Sequence, residues 1–311
     1  MIIKNLCVRA LMIMVLGLCS LAQQASAGER IAVLVSASDP PFEEVLAGFQ
    51  GYLAKQGIEA DLDVHRLAGD AAGTEQIVQN IREGGPRMIF ALGSLGTEAA
   101  IRKAGNIPLI ACLILRQNIL KNAANATGVV LEFPLETQFT WLQNMLPDAK
   151  TIGVIYNPIE NRERIEAAQR LASSRGLKLA AQEVRTPQEV PAALNILSRR
   201  ADVLWGLTDN LVLSPQIAKH IILFSFRNTI PLIGPSAVWA KAGALYSLDW
   251  DYLDLGSQCG EMAVLVLEGT PPGAIPPTTP RKVLYSVNRK TAQQMKIPIS
   301  QQLMDGARFV Y

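Results

Sequence analysis

The sequence is short of the residues from which catalytic and metal centres are commonly built. It has two histidines, His65 and His220, and neither has a second metal-type ligand at helical spacing beside it, so no metal or cofactor site is expected. Of four cysteines, Cys7 and Cys19 fall in an N-terminal segment with the features of a targeting signal, which leaves Cys112 and Cys259. Two thiols so far apart are no disulfide framework. They are expected as buried free thiols, with pairing in an oxidising compartment as the alternative. Excess charge is missing too: without Lys4 and Arg9 of that segment, which holds no acid, the 29 basic residues become 27 and equal the 27 acidic ones. A formally neutral chain has no electrostatic case for nucleic acid or an anionic membrane surface, and no nucleic-acid partner is expected.

The N-terminal segment has a simple pattern. Lys4 and Arg9 precede an uncharged apolar run over residues 10–22, and Ala25-Ser26-Ala27 fits a small-residue cleavage site. A cleaved signal peptide over 1–27 is expected, with Gly28 opening the mature chain. The run is shorter than the roughly 20 residues of a helical membrane span, which speaks against an uncleaved anchor. Leu18 stands before Cys19 where lipoprotein signals carry a small residue, which speaks against lipidation.

Beyond it the chain states one pattern twice. An apolar strand at 31–35 is broken by Asp39-Pro40-Pro41 and followed by Phe42, Val45, Leu46, Phe49, Tyr52 and Leu53 at helical spacing, with Gly57 as the stop. A strand at 60–67, a helix at 74–82, and strands at 87–92, 107–113 and 128–133 follow. The second half repeats the order: a strand at 152–156, a helix ending near Gly176, then strands at 177–184, 203–207 and 243–248. Asn106-Ile107-Pro108-Leu109-Ile110 is echoed by Thr229-Ile230-Pro231-Leu232-Ile233. This is a diverged duplication with no short period. Strands alternating with helices predict two similar Rossmann-like α/β lobes with parallel sheets. The expected boundaries are lobe 1 at 28–134 with a return of about 281–311, a crossover helix at 135–150, lobe 2 at 151–250, and a crossover helix with a Pro-rich link at 251–280.

In open parallel sheets ligands bind beyond the carboxyl ends of the strands, and in a duplicated pair those ends can face one cleft. The candidates there are Ser36, Ser94, Leu95, Thr97, Tyr156, Asn157, Asp209, Asn210, Ser236 and Asp251. Gly93-Ser94-Leu95-Gly96-Thr97 opens a helix whose free N–H groups and hydroxyls could hold a carboxylate; an ordinary tight turn is the alternative. No Gly-Lys-Ser/Thr follows it, so it is no phosphate loop, and Leu92 stands where a nucleophile elbow needs glycine. Asp209 could take a ligand ammonium and Asn210 could donate and accept, with helix capping as the alternative. Asp249 and Asp251 share a face of an extended piece, where one serves a ligand and the other caps the following helix; Asp251 is the expected ligand group. The aromatics near strand ends are core by default, and of these Tyr156 and Trp250 are best placed as pocket walls. Nothing supplies a nucleophile or partner base, so no catalytic residue is expected.

Four segments in this order, Ile152-Gly153-Val154-Ile155-Tyr156-Asn157-Pro158, Thr208-Asp209-Asn210, Ile230-Pro231-Leu232-Ile233-Gly234 and Asp251-Tyr252-Leu253-Asp254-Leu255-Gly256, resemble the ABC-transporter substrate-binding proteins of the tryptophan/tyrosine-type family. The resemblance covers residues 29–300. It implies a type I periplasmic-binding-protein fold, with two lobes joined by a multi-strand hinge that close on a small ligand. Carried over, Ser94 and its neighbouring N–H groups take the carboxylate, while Asp209, Asn210 and Asp251 serve the ammonium. The sequence departs from the family at Cys112-Leu113-Ile114-Leu115-Arg116-Gln117 and at Gly234-Pro235-Ser236, which leaves the ligand open beyond a small polar or zwitterionic molecule, an amino acid among them. The expected function is a periplasmic solute-binding protein that serves an ABC permease in the inner membrane. A periplasmic sensing module docking on a membrane receptor is the alternative, and a two-lobed transferase-type enzyme a further one.

Overall fold

A computed structural model describes residues 28–311 apart from 116–118, 122 and 213. The expected signal peptide at 1–27 lies outside the described residues, as do Cys7, Cys19, Arg116 and Gln117. The chain divides into two compact units. The first comprises the described residues of Met1–Cys112, Ile119–Gly128 and Gly256–Pro276; the second those of Leu113–Asn118, Val129–Leu255 and Pro277–Tyr311.

The first unit is built on strands β1 (Glu29–Val35), β2 (Ala60–Arg66), β3 (Met88–Leu92), β4 (Leu109–Ile114) and β5 (Ala126–Val130), in the order β2-β1-β3-β4-β5. The pairs β1–β2, β1–β3 and β3–β4 are parallel. Every residue of β3 and β4 is buried, which is why both read as unbroken apolar runs. At the edge, β2 carries Asp61, Asp63 and Arg66 and is only partly covered, a charged edge that discourages pairing with another chain. Helix Pro40–Lys55 starts on two prolines and buries Val45, Leu46, Phe49 and Leu53. Phe49 stacks on Phe90 with centroids 4.1 Å apart. Helix Tyr252–Leu267, in the first unit from Gly256 on, crosses helix Pro40–Lys55 in backbone contact: a Cβ at Gly256 would sit 2.0 Å from the Val45 carbonyl oxygen. Cys112 and Cys259 are both buried thiols outside any disulfide, as the sequence suggested.

The second unit holds β6 (Thr151–Tyr156), β7 (Lys178–Glu183), β8 (Val203–Trp205), β9 (Leu232–Gly234), β10 (Tyr246–Trp250), β11 (Val283–Val287) and β12 (Phe309–Val310), ordered β12-β11-β10-β9-β8-β6-β7. Its stretch β7-β6-β8-β9-β10 repeats the order of the first sheet, and its strands are parallel. The echo found in the sequence is the same hydrogen bond made twice. Pro108 O accepts from Ile89 N and Pro231 O from Leu204 N, each at 2.8 Å.

Two boundaries need correction. The C-terminal segment 281–311 does not return to the first lobe, because Val283–Val287 pairs antiparallel with Tyr246–Trp250. There Tyr285 and Val287 join the core of Tyr246, Leu248, Phe139, Leu142 and Met145. Apolar alternation declares a strand without naming its neighbour, and the Pro-rich link before it reads alike in either direction. Conversely, of the crossover helix and Pro-rich link expected at 251–280, residues Gly256–Pro276 pack with the first unit.

Candidate functional site

In the first unit, Ser36 leaves β1 and Gly93 leaves β3. Gly93 has φ +92°, and a Cβ there would lie 2.8 Å from Cβ of Ser36, so only glycine lets the two strand ends approach. Ser36 N donates to Leu92 O at 3.0 Å, and its hydroxyl accepts from Gly96 N at 3.1 Å. Ser36 thus positions the start of helix Ser94–Lys103. Thr97 is fully buried and its hydroxyl donates to Gly93 O at 2.8 Å, which makes it a fastener of the turn. Gly93 at the N-cap has no side chain to cap the helix, and Ser94 and Leu95 are half-buried. Among the described residues no hydrogen bond occupies the Ser94 hydroxyl or the N–H groups of Ser94 and Leu95. Donors at a helix start suit a carboxylate or another small anion.

In the second unit the expected residues divide. Asn157 N-caps helix Pro158–Ser174, its side-chain oxygen accepting from Ile159 N at 3.1 Å, while its own N–H donates to Asp209 Oδ2 at 2.6 Å. Asp209 is 1% exposed. Its Oδ2 also accepts from Asn161 Nδ2 at 2.9 Å, and its Oδ1 accepts from Leu211 N and Val212 N at 3.0 Å each. Four donors fill the carboxylate, so the capping reading of Asp209 describes it better than a contact with a ligand ammonium. Asn210 is exposed beside it, and its N–H donates to Glu160 Oε2 at 3.2 Å. Tyr156 is buried in the core, as packing more than pocket wall.

Ser236 is half-buried at the start of helix Ala237–Ala242 and makes no side-chain cap bond. Asp251 takes the capping part: its Oδ1 accepts from Asp254 N at 3.0 Å, and Lys282 Nζ lies 3.5 Å from its Oδ2. Sequence reading missed the partner of that turn. Asp254 is paired in two bonds by Arg281, at 2.9 and 3.0 Å, with Lys282 Nζ at 3.2 Å. Burial pushes the Asp254 carboxyl up, and the bonds from Arg281 and Lys282 outweigh it, holding the group below its usual range. Asp249 bonds to Trp250 N at 2.9 Å and lies 3.7 Å from Arg308. Trp250 is half-buried and stacks on Phe133 with centroids 5.5 Å apart. Arg164, its basicity lowered by burial to a pKa of about 10, holds Glu132 and Phe133 O.

The structure therefore joins Ser36 with the Ser94 turn in one lobe, and Asn157, Asp209 and Asn210 in the other. No hydrogen bond links Ser236 or Asp251 to the latter group among the described residues. Asn161 and Glu160, missed in the sequence, carried a local signal: they occupy the first turn of a helix capped by Asn157. A cavity of about 20 Å3 in the second lobe, lined by Gly153, Ile155, Leu204, Trp205, Leu232 and Trp239 among others, is apolar and too small for an organic ligand. Among the described residues no group of three or more His, Cys, Asp or Glu is placed to hold a metal ion, and no helix is long and apolar enough to cross a membrane.

Residues 30–310 match the family described as ABC transporter substrate binding protein. A tyrosine-binding protein of Clostridioides difficile (strain R20291) is 27% identical over 273 residues, covering 82% of this chain and 77% of that protein. The ligand-free, open structure of a Clostridium difficile substrate-binding protein with adhesive properties has a TM-score of 0.75 at 25% identity, over 91% of this chain and 99% of its own. The ABC domain from Streptococcus pneumoniae in complex with L-Trp has a TM-score of 0.65 at 22% identity, over 92% and 100%, a likeness of fold.

Proposed function

Because this chain belongs to the family of ABC transporter substrate-binding proteins, we propose that it is the periplasmic receptor of an ABC importer, closing its two lobes on a small polar or zwitterionic ligand and presenting it to an inner-membrane permease. The observation that carries the reading is the start of helix Ser94–Lys103, where a half-buried hydroxyl and two N–H groups stand without partners among the described residues, beside Ser36. These donors take the ligand carboxylate. Asn210, exposed on the second lobe, supplies a group that can accept from an ammonium, and Ser236 a further hydroxyl. Aromatic amino acids are the first candidates, since one relative is named for tyrosine and one fold neighbour holds L-Trp.

Closure is a population shift: a ligand that touches both lobes favours the state in which both contacts form. A ligand at a hundredfold excess over its dissociation constant stabilises the protein by about 2.7 kcal/mol, a rise in melting temperature of about 5 °C. Thermal scans with L-tyrosine and L-tryptophan are expected to give such a rise. Flat scans with both, and with a library of amino acids, nucleosides and short organic acids, would contradict the reading.

A further inference from the structure

We propose that Asp209 is a positioning residue: it shapes the second lobe's contribution to the ligand site through the loop 208–212 and touches no ligand itself. The inference rests on the reading of that loop as part of the site. Its basis is the donor set. One carboxylate, 1% exposed, accepts from two backbone N–H groups of its own loop, from the N–H of Asn157 at the end of β6, and from the Asn161 amide in the first turn of helix Pro158–Ser174. Two further bonds tie the same pieces together. Asn161 Nδ2 also donates to Thr208 O at 3.3 Å, and Asn210 N donates to Glu160 Oε2 at 3.2 Å.

A carboxylate is the side chain this place requires. Both its oxygens accept, and all four approaching atoms are donors. An amide would turn its own NH2 toward two of those donors and leave them buried without an acceptor. The bond from Asn157 N, at 2.6 Å, is of the short, charge-assisted kind. Asn210 follows directly in the chain, with its side chain outside and its N–H held from below. The carboxylate therefore fixes the direction in which the neighbouring amide points, while no ligand atom can reach its filled oxygens.

The test compares wild type with Asp209→Asn and with Val190→Ala, a cavity in the apolar core of the same lobe that controls for loss of stability alone. Three readouts are taken: amide chemical shifts of free protein, hydrogen exchange over 208–212, and affinity for L-tyrosine and L-tryptophan. In Asp209→Asn the Asn157 amide proton is expected to lose its downfield position and the loop amides to exchange faster. Affinity is expected to fall about tenfold, the lower end of the loss seen at metal sites when a partner that orients a ligating residue is removed. Val190→Ala is expected to lower the melting temperature while keeping affinity. Wild-type affinity in Asp209→Asn overturns the proposal, as does an equal loss in Val190→Ala. A loss of affinity with the Asn157 amide and loop exchange unchanged also overturns it, since the carboxylate would then act on the ligand directly. If neither amino acid binds wild type, the ligand assignment fails by itself. Loop exchange then decides: faster exchange in Asp209→Asn upholds the positioning role, and unchanged exchange overturns it.

Discussion

The two lobes share a strand order and differ in what they do with their strand ends. β2-β1-β3-β4-β5 and β7-β6-β8-β9-β10 are the same arrangement, down to the bonds accepted by Pro108 O and Pro231 O. At the carboxyl end of β3, the first lobe has a hydroxyl and two N–H groups at Ser94 and Leu95 that no hydrogen bond occupies among the described residues. Past β8, the second lobe places a carboxylate and fills it with four donors. The duplicated scaffold thus carries an open donor set on one side and a closed acceptor on the other. The second lobe also extends its sheet by β11 and β12, strands that pair within that copy.

The sharpest break in the comparison is Gly256→Ala. A Cβ there meets Val45 O at 2.0 Å and Phe49 N at 2.6 Å, so the two helices of the first lobe must part. We expect a loss of about 3 kcal/mol or more by urea denaturation. Gly51, exposed on helix Pro40–Lys55 with nothing within 4 Å, is the companion, and Gly51→Ala should stabilise by about 0.5–1 kcal/mol. Equal effects of the two substitutions would show that the contact at Gly256 does not hold the first lobe together.

Asp254→Asn is next and belongs to the second lobe. It leaves Arg281 and Lys282 without their shared carboxylate, at about 1–2 kcal/mol after allowance for the exposure of both cations. The pH dependence has a definite sign. The folded-state pKa of Asp254 lies below its ordinary value, so its contribution is fully present above about pH 4 and is lost as pH falls through the lowered value. Denaturation followed across the acid range should therefore show a shallower fall in stability for Asp254→Asn than for wild type. An unchanged acid limb would mean that other carboxylates set it.

The smallest effects separate roles inside the first lobe. Ser36→Ala removes the acceptor of Gly96 N, and Thr97→Val removes the bond to Gly93 O; each should cost about 1 kcal/mol in stability. Ser94→Ala should stay within about 0.5 kcal/mol of wild type and weaken ligand binding. Comparable stability losses at all three positions, measured by thermal unfolding, would mean that the Ser94 hydroxyl is also a fastener.

Much of this was legible in the chain. The apolar runs of β3 and β4 and the repeated Ile-Pro-Leu-Ile wording announced buried parallel strands, because burial on both faces leaves no polar position to confuse the pattern. The neighbour of Val283–Val287 was not legible, since alternation fixes which face is buried and says nothing of which sheet. At the site, sequence reading found the strand ends and not their wiring. Thr208-Asp209-Asn210 marks a loop, but two of the four donors that fill Asp209 come from Asn157 and Asn161, about fifty residues earlier, and only the folded chain brings them there. Asp251 and Asp254 stand three apart at a helix start, a spacing that signals capping; the pairing of Asp254 with Arg281 across 27 residues has no such local sign.

The proposed role requires that the chain bind one small polar molecule with the Ser94 donors among its contacts. Native mass spectrometry of protein purified without refolding tests it most directly. A bound mass in the range of a free amino acid or similar zwitterion is expected, released on denaturation and diminished in Ser94→Ala. A single apo mass that stays unchanged after incubation with L-tyrosine, L-tryptophan and the wider library would contradict it.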